Sequence, residues 1–115
     1  MTTDHHESDV GSSLDAMFDV LSHRYRRRIL VEVYRRTDRR RRSAFRVEAF
    51  STRDELPEAC RVRLHHVHLP KLAAAGFITW DRERGVVDRG PRFREIEPAI
   101  RLLHDNREKL PDDWL

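Results

Sequence analysis

The sequence predicts an α+β domain, mainly helical, in which helices surround one small β-hairpin near the C-terminal end. Apolar residues recur at helical spacing over residues 14–36 and again over 61–75. Two short runs, Phe45-Arg-Val-Glu-Ala and Phe77-Ile-Thr-Trp-Asp, alternate apolar and polar residues as strands do. A length of 115 residues leaves room for one hydrophobic core.

The elements follow in order. Residues 1–11 read as a disordered tail and 12–110 as a single domain, with 111–115 an acidic tail in which Trp114 is either an anchor or frayed. Ser12 or Ser13 caps a first helix bearing Leu14, Met17, Phe18 and Leu21. Ser22 caps a second, from about His23 to Arg36, with Tyr25, Ile29 and Val33 along one side. Thr37 to Ala44 is a charged loop, and the strand at Phe45 runs to Ala49. A short third helix begins at Ser51 or Thr52 and passes through Leu56 and Ala59, with Asp54 and Glu55 at its positive end. The fourth spans about 61–75 and stops at Gly76. A hairpin follows, turning on Arg-Glu-Arg-Gly before Val86 and Val87, and Pro98 opens a last helix carrying Ile100, Leu103 and Leu110.

Charge is distributed unevenly. Residues 1–21 hold five acids and no Lys or Arg, whereas residues 22–46 hold eleven arginines against Glu32 and Asp38. The last dozen residues turn acidic again at Asp105, Glu108, Asp112 and Asp113. A basic segment between acidic ends points to a polyanionic partner. No apolar run is long enough to span a bilayer. The polar, acidic N-terminus is unlike a signal peptide, and a single cysteine, Cys60, precludes an internal disulfide. A cytoplasmic setting is the expectation.

Two stretches resemble a known family. Phe18-Asp-Val-Leu-Ser-His-Arg-Tyr-Arg-Arg-Arg-Ile-Leu is similar to the opening of ArsR-type winged-helix regulators, and Leu64-His-His-Val-His-Leu-Pro-Lys-Leu-Ala-Ala-Ala-Gly-Phe-Ile resembles their recognition helix running into the wing. The string His-His-Val-His-Leu-Pro-Lys-Leu is shared with small winged-helix proteins of halophilic archaea whose function is unknown. The resemblance covers about residues 14–90 and implies a winged helix-turn-helix with a hairpin wing and a terminal helix. It also implies a DNA-binding transcriptional regulator, and a homodimer is expected because the lean apolar content leaves only a small core. Pro70 departs from the family, because it removes a hydrogen bond to the His66 carbonyl and must kink the helix or start a new turn.

On that reading double-stranded DNA meets Arg61, Arg63, His66 and Lys71 of the fourth helix and Arg82 and Arg84 of the wing, where Arg89 is a further candidate. Arg39, Arg40, Arg41 and Arg42 either neutralise phosphates or form a solvated loop. At 100° per residue Val62, Leu69, Leu72 and Ala73 share the core side, Arg63 and Lys71 lie opposite, and Leu64 and Val67 fall off the core. His65 points to the core side. Leu14, Met17, Phe18, Leu21, Ile100, Leu103 and Leu110 form a dimer interface or close the monomer's core.

A protein-interaction module without DNA binding is the second reading. A metal-responsive repressor is a third, resting on His65 and His68 with Cys60 nearby, but no third ligand can be named. No metal or other cofactor is therefore assigned. The sequence has no Gly-rich phosphate loop and no paired-carboxylate signature, and Cys60 lacks an orienting group, so no catalytic residue is assigned and the chain does not read as an enzyme.

Overall fold

The computed structural model describes residues 14–38, 44–53 and 56–115. Residues 14–21 form helix α1, followed by α2 (Arg24–Asp38), strand β1 (Phe45–Arg46), α3 (Val47–Arg53) and α4 (Glu58–Arg63). A π turn (Leu64–His68) joins α4 directly to α5 (Leu69–Ala74). Strands β2 (Ile78–Asp81) and β3 (Val86–Arg89) make the hairpin, and α6 (Phe93–Asp105) closes the fold. The three strands form an antiparallel sheet in the order β1-β3-β2, which with the helices gives the α+β winged-helix architecture. The tail over residues 1–11, the expected caps Ser12 and Ser13, and Arg39 to Arg42 lie outside the described residues.

Helix α2 is the centre of the core. Its Ile29, Leu30 and Val33 are fully buried, and α6 lays Phe93, Ile96 and Ile100 against it. The turn before α2 differs from expectation at Ser22, whose N–H and hydroxyl both donate back to the Asp19 carbonyl, at 3.2 and 2.6 Å. With Ser22 committed to closing α1, His23 takes over the start of α2, its Nδ1 accepting the Tyr25 N–H at 3.2 Å.

Strand β1 stops at Arg46 rather than continuing to Ala49. The Val47 N–H donates to the Gly85 carbonyl at 2.9 Å, and from there the chain coils. Val47 and Phe50 are three residues apart and both buried, so helical spacing wins over the period-two alternation. Helix α3 accordingly begins at Val47, not near Ser51, and has ended before Leu56. Helix α4 starts at Glu58, after Pro57 with φ −57°.

The hairpin turns over residues 82–85 as expected, with Gly85 at φ +64° and the Arg84 N–H donating to Asp81 Oδ1 at 3.1 Å. Gly76 (φ +82°) ends the preceding helix, and the Phe77 N–H donates to the Leu72 carbonyl at 3.1 Å. The last helix begins five residues before Pro98, because the buried stripe Phe93, Ile96 and Ile100 requires it, and Pro98 is carried in its interior on the exposed side.

The expected acidic tail is docked. Two 3₁₀ turns (Arg107–Lys109 and Asp112–Trp114) bring Trp114 and Leu115 against the core. Arg27 ties them to α1, donating to the carbonyls of Trp114 (2.6 Å) and Leu21 (2.7 Å). Trp114 is an anchor. Among the described residues, no helix is long and apolar enough to cross a membrane.

Candidate nucleic-acid interface

The site is built around the continuous helix α4–π–α5. Pro70 has no N–H to give the His66 carbonyl, and its ring crowds that carbonyl in a regular α-helix. Widening the preceding turn relieves both problems, and the Leu69 N–H reaches the Leu64 carbonyl, five residues back. Over this turn residues four apart stay in line. Cys60, Leu64, His68 and Leu72 form the inward stripe, the last three buried. Arg61 and His65, Val62 and His66, and Arg63 and Val67 form three exposed stripes.

This geometry corrects four side chains. Leu64 is fully buried rather than off the core, and Val62 is 50% exposed rather than inside. His65 is exposed, and the core histidine is His68. Lys71 does not stand free opposite the core, because it reaches α1 and pairs with Asp19, whose carboxyl it holds below the usual range. A straight 100° period places Leu64, Val62 and His65 wrongly because it omits the π turn, whereas Lys71, beyond the turn, is drawn aside by its ion pair.

Buried Arg26 seats this helix against the start of α2. It donates to the carbonyls of Val20 (3.0 Å) and Asp19 (2.9 Å), to Ser22 Oγ (3.1 Å) and to His68 Nδ1 (3.0 Å). It thus serves structure, holding α1 through the backbone carbonyls of Asp19 and Val20. A guanidinium only donates, so His68 Nδ1 is the acceptor and the ring proton sits on Nε2, which is buried without a partner. Burial first, then the charges of His23, Arg26 and Arg63, push the His68 pKa down to about 4. The His23 ring lies 4.1 Å from it, and burial with Arg26 lowers its pKa too.

On the opposite side, α4 and the hairpin bound an open cleft of about 390 Å³ lined by Arg46, Glu48, Arg61, His65, Arg82, Glu83, Arg84 and Gly85. Four arginines from three separate elements therefore converge here. His65 donates from Nδ1 to the Arg61 carbonyl at 2.9 Å and lies 6.0 Å from the Trp80 ring, over which Arg82 stacks at 4.8 Å. Among the described residues, Arg46, Arg61, Arg82 and Arg84 form no ion pair, although Glu48 and Glu83 line the same cleft. Elsewhere Arg36 pairs with Glu32, and Arg92 pairs with Glu95.

Of the residues expected from sequence, Arg61, Arg82 and Arg84 meet in the cleft, and Arg63 and His66 stand exposed beside it. Arg89 is drawn off over Phe93, at 5.5 Å. Arg46 was missed. Its signal was the polar position of a two-residue strand, and only the pairing of Arg46 with Val86 beside the wing turn brings it in. Nor do His65 and His68 share a face, and Cys60 accepts a hydrogen bond from the Tyr25 hydroxyl at 3.5 Å. Among the described residues no three potential ligands gather for a metal.

Residues 18–88 match the protein family described as a domain of unknown function, DUF7344. The chain belongs to the DUF7344 family. The matched region runs from the middle of α1 to β3, so every cleft residue lies within the DUF7344 domain and α6 lies beyond it. No curated protein and no solved structure matches the chain.

Proposed function

We propose that this DUF7344 chain is a DNA-binding transcriptional regulator of winged helix-turn-helix type, related to the ArsR-like regulators and acting in the cytoplasm. The α4–π–α5 helix enters the major groove of double-stranded DNA, and the hairpin wing rests on flanking backbone. The observation that carries this reading is the helix–wing cleft, where four arginines converge that form no ion pair among the described residues. Guanidiniums held close together repel one another until an anion arrives, and a phosphate backbone supplies a row of anions.

The regulator acts as a homodimer. Supporting this, α1 leaves Leu14 and Phe18 exposed (48% and 64%), and α6 leaves Leu102 exposed at 65%. Ile100 belongs to the monomer's core, and Met17 and Leu21 pack against it.

The test is fluorescence anisotropy of a labelled random duplex titrated with KCl, using the wild type and an Arg46→Ala/Arg61→Ala/Arg84→Ala variant. The expected result is salt-dependent binding whose log–log slope falls by about 0.9 for each phosphate contact removed. Absence of binding at low salt, or a variant identical to wild type, overturns the proposal and directs the search to a protein partner.

A further inference from the structure

We infer that the outer face of the α4–π–α5 helix reads thymine through its methyl group, with Val62 and Val67 as the reading residues. The inference rests on the DNA-binding proposal and adds to it a base class and the side chains that select it.

Neither valine joins or packs against the hydrophobic core. Val62 is 50% and Val67 39% exposed, and a β-branched side chain is a poorer helix former than the lysine, glutamate or arginine usual on a solvated face. Both sit on the stretch of helix that the π turn turns away from the core. The stripes Val62–His66 and Arg63–Val67 lie side by side, so apolar and cationic or hydrogen-bonding side chains alternate diagonally, like a checkerboard.

A protein-binding face concentrates its apolar residues in a continuous centre and puts charge at the rim. This face does not. The floor of a major groove has the complementary pattern, with thymine C5-methyl groups interspersed among acceptors on guanine, adenine and thymine. Arg63 and His66 supply donors for the acceptors, and the valines supply apolar surface for the methyls. The cationic cleft beside them, with Arg46, Arg61, Arg82 and Arg84, fits the adjoining phosphates.

The experiment compares two labelled 24-base-pair probes, an alternating dA·dT duplex and the same duplex with deoxyuridine in place of every thymidine. Wild type and Val62→Ala/Val67→Ala are titrated against each. Burying one methyl is worth about fourfold in affinity, so wild type should prefer the thymine probe by about fourfold or more. The double variant should bind both probes equally, with a melting temperature no lower than that of wild type, because neither valine is in the core and alanine is the better helix former. Equal binding by wild type overturns the inference while leaving the DNA-binding proposal intact. A preference that survives in the double variant also overturns it, because the methyl is then sensed elsewhere. Absence of binding to either probe overturns both, and an Arg46→Ala variant that weakens both probes equally separates phosphate contact from methyl reading.

Discussion

His68 shows how one side chain can tie folding to pH. Its neutral ring accepts from Arg26, so a second proton would place an imidazolium against a guanidinium in the core. The folded pKa, about 4, lies below the ordinary 6.5. The unfolded chain therefore binds the proton more readily between those values, and stability falls as pH drops through that window, by about 3 kcal/mol at most. Urea midpoints at pH 7 and 4.5 should differ clearly more in wild type than in His68→Gln, which keeps a neutral acceptor. Equal differences would remove His68 from the acid response. The Asp19–Lys71 pair does not confuse the comparison, because a carboxyl held below the usual range stays ionised at pH 4.5 in both proteins. The sequence reading turned His65 inward instead of His68, because which histidine faces the core depends on the turn geometry between them.

At the scale of elements, both interior prolines defied a simple reading. Pro70 announced a break in the fourth helix, and the break took the form of a π turn that leaves the helix continuous. Pro98 suggested a helix start and instead sits five residues inside α6, where the Arg94 carbonyl has no N–H to accept from it. Burial of Phe93, Ile96 and Ile100 outweighs that loss. Replacing exposed Pro98 with alanine should restore the bond and stabilise the protein by about 1–3 kcal/mol, seen as a higher melting temperature. An unchanged or lower value would mean that α6 is shaped around the proline. The hairpin turn and the Gly76 stop were legible because glycine conformations fix them locally. The β1–α3 boundary was not, since Val47 is buried under either period and only the burial of Phe50, three residues on, favours the helix.

For the molecule as a whole, the fold class could be read from the order of elements, but assembly and the full arginine set could not. Arg61, Arg82 and Arg84 were visible as members of a helix and a turn, whereas Arg46 joins them only through sheet pairing across some forty residues of chain. The terminal helices similarly carried apolar residues whose destination sequence left open. The structure sends Ile100 inward and leaves Leu14, Phe18 and Leu102 at the surface. For the proposed homodimer, sedimentation equilibrium should give twice the 13.8 kDa chain mass for wild type and the single mass for Phe18→Asp. A monomeric wild type at micromolar concentration would leave these side chains without a partner copy.

The π turn also governs how residues may be exchanged with other helices of this kind. One extra residue is stored between Leu64 and His68, so positions before it are a step out of phase with those after it. Transplanting a groove-facing pattern from an uninterrupted helix, position for position, would send each grafted side chain before the turn to the neighbouring stripe and aim an intended base contact at the wing. A faithful graft must skip one residue at the turn, or remove both the proline and the residue it accommodates.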